Sequence, residues 1–170
     1  MSPTLAMSTY YEEGSQLALI VGVRPALSRR ERPYIPIEIA VANKGLPTLT
    51  FTRESFTLVD AQGRSFPAVG RDELSRGYGS TDLDGRLGEV ESIVERKYLN
   101  FDRVPSSFTP GFDEPVGRDE VTLHRFSYFV DRLYFPNPAV PTPPGPFELL
   151  VRVREMPDPL VVRFFVGRPH

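Results

Sequence analysis

The chain lacks cysteine and tryptophan, carries two histidines, and has Lys44 and Lys97 as its only lysines. Without cysteine there are no disulfides, thiolate nucleophiles or zinc–thiolate centres. The compartment stays open, because 170 residues can enclose a core that needs no covalent staples. The missing tryptophan removes the best stacking surface for a sugar. No run approaches the roughly 20 apolar residues of a membrane-spanning helix. A formal net charge of -2 leaves no basic surplus across the whole chain for nucleic acid or anionic lipid. Nothing in the composition points to a cofactor.

What is abundant is proline, with 18 residues, beside 13 glycines. Proline donates no backbone hydrogen bond, so this composition disfavours long helices and suits strands joined by stiff loops. Hydrophobic residues at 40% and charged residues at 25% are ordinary for one folded domain. The polar start reads as a flexible linker over residues 1–14, with a single domain over 15–170. Met1–Gln16 has neither a basic nor an apolar signal region, so export would require a signal that has already been removed.

Period-two alternation supplies the main structural signal. Leu17, Leu19, Val21 and Val23 alternate with Ala18, Ile20 and Gly22. Ile35, Ile37, Ile39 and Val41 alternate with Pro36, Glu38, Ala40 and Ala42. The alanines imply close packing, or light solvation, on the second face. Asp60-Ala61-Gln62-Gly63 has hairpin chemistry between Phe56–Leu58 and Phe66–Val69. A last hairpin is expected from Phe147–Val153 and Leu160–Val166 around Met156-Pro157-Asp158-Pro159. Leu87, Val90, Ile93, Val94 and Tyr98 fit one helical face, yet the stretch 87–101 also reads as a strand through Ile93, Leu99 and Phe101, and the strand is preferred. Val121–Val130 reads as a strand with a bulge near Arg125. The expectation is an all-β, immunoglobulin-like antiparallel β-sandwich of about seven to eight strands, with long loop insertions at 70–90 and 102–120.

Ile37, Ile39, Val41, Asn43 and Gly45, followed by Phe56, Leu58, Asp60 and Gly63, resemble the immunoglobulin-like (telokin-like) domains of bacterial surface lipoproteins. Phe101-Asp102-Arg103-Val104-Pro105 is similar to a later strand end of that family. The resemblance covers roughly 35–105; the longer 106–146 segment and the absence of a lipidated cysteine depart from it. It implies an extracytoplasmic binding or assembly module and carries over no catalytic residue.

Candidate chemistry is sparse. Ser80-x-Asp82-x-Asp84-Gly85-x5-Glu91 places Asp82, Asp84 and Glu91 at three liganding positions of a calcium loop, with serine at the first where a carboxylate is expected. The plain alternative is a solvated Asp-Gly turn. His124 lacks a nucleophile-elbow serine, and His170 ends the chain. Adjacent Asp119 and Glu120 point apart on an extended backbone. Gly77-Tyr78-Gly79 lacks the lysine of a phosphate cradle. Tyr128, Phe129, Tyr134 and Phe135 are candidate binding aromatics, or else cover the core beneath a proline-rich loop at 135–146. That loop is either a polyproline-II docking segment or a rigid connector. The resulting expectation is a non-enzymatic protein-interaction or assembly module with an unidentified protein partner, with export to the periplasm or cell surface favoured over a cytoplasmic location. The alternative is a calcium- or ligand-dependent recognition domain using the 80–91 loop.

Overall fold

A computed structural model describes residues 4–6, 8–76, 78, 81–106, 108 and 120–166. Gly77, Gly79, Ser80, Asp119 and His170, raised above, lie outside the described residues, as does most of the 106–119 insertion. The protein is mostly β, with 44% of the described residues in strands and 17% in helices. Its helices fall largely in the segment expected to be loop and strand.

The centre is strand β4, Tyr34–Asn43, which needs a partner on both sides because it is buried along nearly its whole length. To place it in order, the strands before it are β1 (Thr4–Ala6), β2 (Thr9–Glu13) and β3 (Leu17–Gly22). Those after it are β5 (Thr48–Thr52), β6 (Phe56–Val59), β7 (Ser65–Pro67), β8 (Asp102–Arg103), β9 (Glu120–His124), β10 (Ser127–Pro136), β11 (Pro146–Val151) and β12 (Leu160–Phe165). The described residues also form four short α-helices, α1 (Arg24–Ser28), α2 (Arg71–Ser75), α3 (Asp82–Arg86) and α4 (Val90–Lys97), and one 3-10 turn, Arg53–Ser55.

The six-stranded sheet runs β1-β2-β3-β4-β10-β8, the four-stranded sheet β12-β11-β6-β7, and β5 pairs with β9. All pairings are antiparallel except the two-residue parallel contact of β8 with β10. Antiparallel β4 and β10 hold the longest register, from Tyr34↔Pro136 to Asn43↔Ser127. Ile35, Ile37, Ile39 and Val41 point inward and meet Phe51, Phe56, Leu58, Leu149, Val162 and Phe164 from the other two sheets in one core. The alternation of the sequence is the cause, since every second side chain must share a face.

Four expectations are corrected. Residues 1–14 are not a linker throughout, because β2 pairs along β3 from Thr9↔Gly22 to Glu13↔Ala18. Tyr10 is the reason: its ring is buried and lies 6.2 Å from that of Phe164. The 87–101 stretch is not a strand, because Val90 and Val94 with Tyr98 recur at helical spacing and bury against Ala18, Ala40, Ala42 and Tyr128. Large side chains on the sheet would leave that helix no room. The parity change near Arg125 is a tight turn joining β9 to β10, which belong to different sheets, not a bulge, and the described residues form twelve strands where seven or eight were expected.

The proline-rich segment acts as a connector pinned to the loop after α1. Asn137 donates to the Arg30 and Arg32 carbonyls, and the Arg30 guanidinium donates to the Thr142 carbonyl at 2.8 Å. The terminal hairpin forms as expected, with Leu149↔Val162 at its middle.

Because Ile39 is wholly buried, Ile39→Asp strands a charge in the core. Chemical denaturation should show a loss on the order of 3 kcal/mol or more; an unchanged midpoint would mean this register is wrong.

Candidate functional site

The outer face of the six-stranded sheet carries the densest polar chemistry in the structure, and it lies beneath the helices. β4 turns Pro36, Glu38, Ala40 and Ala42 to this side, opposite its isoleucines. The alanines let α4 approach; Glu38 gives that helix a chemical anchor.

Glu38 is buried, and its Oε1 accepts the backbone N–H groups of Glu89 at 2.9 Å and Val90 at 3.3 Å. These are free donors at the start of α4, so a carboxylate from another strand caps the helix. The approach demands glycine on both flanks. A Cβ at Gly22 would stand 2.7 Å from Glu38 Oε1, and one at Gly88 would stand 2.6 Å from Oε2. Glu89 extends the contact by accepting from the Ser8 hydroxyl at 2.7 Å and from Arg24 at 3.0 Å.

A second carboxylate holds α3. Asp84 is fully buried, with Oδ1 2.9 Å from Arg29 Nε. Its Oδ2 accepts the Tyr78 hydroxyl at 2.6 Å and the Tyr134 hydroxyl at 2.8 Å. The two tyrosine rings meet edge to face at 5.1 Å, and Arg132 donates to the Tyr134 oxygen. Burial pushes the Tyr78 phenol well above its usual range, reinforced by donation to Asp84. Tyr134 moves the same way, burial again leading and outweighing the opposing charge of Arg132. Both phenols therefore stay protonated and act as donors. Among the described residues no buried side-chain N or O lacks a hydrogen-bond partner. The arrangement can hold helices on a sheet; it leaves no free base or nucleophile in the cluster.

The sequence-based candidates disperse. Asp82 opens α3, Asp84 is committed to Arg29 and two phenols, and Glu91 sits on α4 in an ion pair with Arg103. Among the described residues there is no group of three or more acidic, histidine or cysteine side chains placed to hold a metal. Tyr128, Phe129, Tyr134 and Phe135 are buried and alternate across β10, so they form no open platform. Phe129 and Phe135 enter the core, Tyr128 lies in the cluster under α4, and Tyr134 joins the Asp84 network. His124 is exposed at the end of β9, its Nε2 3.1 Å from Asp102. Ser127 beside it is buried and donates to the His124 carbonyl, so it offers no nucleophile.

Sequence reasoning passed over Glu38, Arg29 and Tyr78. A signal was present in Glu38, the lone charge in an otherwise apolar ten-residue strand. Two concavities lie among the described residues. One, between the Asp60–Arg64 turn and Pro143–Phe147, holds about 80 Å³, well below a typical ligand pocket. The other is an open groove of about 340 Å³ beside Arg103, Val104 and Val130.

These features define a mostly β protein with one sheet covered by helices that two buried carboxylates tether. No family model, curated protein or solved structure matches the chain.

Two outcomes follow from the carboxylates. Asp84→Ala leaves a guanidinium and two phenols without their acceptor, and urea unfolding should register a loss of about 3 kcal/mol. Glu38 behaves differently, because burial raises its carboxyl above the ordinary 4.5 despite the two N–H donors. Such a group stabilises the fold when protonated and loses that contribution as pH climbs from 4.5 through the raised value. Relative to the parent, Glu38→Gln should gain stability progressively from acidic to neutral pH. Parallel urea titrations that stay equidistant across that range would exclude the assignment.

Proposed function

We propose that the chain is a non-enzymatic protein-interaction or assembly module, built on an immunoglobulin-like sandwich and working outside the cytoplasm. The carrying observation is the asymmetry of the two large sheets. Helices cover the outer face of the six-stranded sheet, whereas no described helix packs on the four-stranded one. On that bare face Val59, Leu150, Val161 and Phe165 are half-buried and share one side of the ladder. Glu148 and Arg163 pair across it at 2.9 Å.

Strand β12 supports the same reading. Among the described residues it pairs with β11 and with no other strand. An edge of this kind offers backbone donors and acceptors to an incoming strand, while the half-buried apolar side chains beside it supply contact area. The extracytoplasmic placement rests on the lipoprotein-domain resemblance of the 35–105 segment. The sandwich assignment rests on three sheets enclosing a common core.

A photo-crosslinking residue at Val161, expressed in intact cells, should yield a discrete protein adduct. The same residue at Glu95, on the helical side, should not. Equal labelling at both positions, or none at Val161, would sink the proposal.

A further inference from the structure

The end of the molecule opposite the proline connector presents two turn corners with unsuitable residues. Phe101 N–H donates to the Tyr98 carbonyl at 3.0 Å, so Leu99 and Asn100 form the corner of a tight turn after α4. Leu99 is 81% exposed there, where a polar residue would be usual. The second corner is the turn that joins β9 to β10. Phe126 takes φ +64°, a left-handed conformation that favours glycine or asparagine, yet its ring is 52% exposed. Its N–H donates to the Asn43 carbonyl, and its carbonyl accepts from Asp102, each at 2.9 Å, so the backbone is held.

The corners form one patch. The Phe101 ring lies 4.9 Å from Tyr98 and 5.5 Å from Phe126. A bulky residue in a glycine-like conformation and a leucine on a turn tip both work against the fold, and such local conflicts mark surfaces selected for contact.

The charge around the patch indicates what touches it. Glu13 is paired with Lys44, Asp102 with His124, and Glu91 and Glu95 with Arg103. Arg96, Lys97 and Arg125 make no ion pair among the described residues. Lys97 lies over the Tyr11 and Tyr98 rings, and Arg125 donates to the Gly45 carbonyl. With His124 neutral, the five cations and four carboxylates named here sum to +1, against -2 for the whole chain, and the three cations without a carboxylate partner are Arg96, Lys97 and Arg125. A few apolar side chains on convex corners fall far short of the roughly 800 Å² per partner that a stable protein dimer buries. A bilayer has no such requirement, because it accepts protruding apolar groups individually and anionic headgroups favour nearby cations.

We infer that the Leu99–Phe101–Phe126 corner is a contact surface for an anionic lipid bilayer, with Arg96, Lys97 and Arg125 meeting the headgroups and Leu99 and Phe126 entering the interface. This surface is separate from the β12 face, so the two proposals fail independently.

The test is co-sedimentation of the full chain with vesicles of phosphatidylcholine containing about a third phosphatidylglycerol, beside pure phosphatidylcholine vesicles. The parent should bind the anionic vesicles, bind the neutral ones less, and release as salt is added. Phe126→Asn and Leu99→Ser should each weaken binding about tenfold or more, while thermal midpoints hold or, for Phe126→Asn, rise. Should Phe126→Asn melt lower, Leu99→Ser decides, since an 81% exposed side chain contributes little to folding. No binding of the parent to anionic vesicles overturns the inference. So does binding that Leu99→Ser leaves unchanged, or patch-dependent self-association without lipid.

Discussion

The pairing of β4 with β3 and β10 is the constraint on which the rest depends. One ten-residue strand must satisfy two different environments, and its side-chain period of two makes that possible. Isoleucine and valine on one face close the core against the other sheets. Glu38 and two alanines on the opposite face make a shallow floor with one charge in it. A slip of one residue would put Glu38 in the core and the isoleucines under the helices, so register is specified from both sides.

The helical layer follows from that floor. α4 is only eight residues long and could not persist alone in water. It is held by Val90 and Val94 on the alanines, and by the Glu38 carboxylate at its N-terminal amides. α3 is shorter still and depends on Asp84, whose three partners come from the loop after α1, the 78 position and β10. A buried carboxylate is costly unless its oxygens are used, and both oxygens of Asp84 are. The two anchors make the helices part of the sheet's architecture.

Elsewhere the surface is less resolved by internal packing. Among the described residues no helix covers the outer face of the four-stranded sheet, and the turn corners at Leu99 and Phe126 expose apolar groups. Internal satisfaction at Asp84 contrasts with incomplete satisfaction at these surfaces, and the polar network serves as scaffolding for the helices.

The sequence by itself determined the strands whose alternation is strong. β3, β4, the Asp60–Gly63 turn and the β11–β12 hairpin were all legible from period and turn chemistry, and the alanines of β4 announced a close neighbour. It left Phe129 and Phe135 open between binding aromatics and cover for the core, which the structure resolves by burying both. What only the tertiary structure decided was the helix at 90–97, the pairing of β2, and the use of Asp84 and Glu38. An isolated eight-residue stretch fits helix and strand equally, and the alanine floor that selects the helix lies 50 residues away in sequence. Likewise a Ser-x-Asp-x-Asp-Gly spacing suits a cation until Arg29 and two tyrosines arrive at Asp84 from distant segments. The physical reason is common to all of these: period and turn chemistry are local, whereas the partner that satisfies a buried charge or covers a half-apolar face is supplied only when the chain folds back on itself.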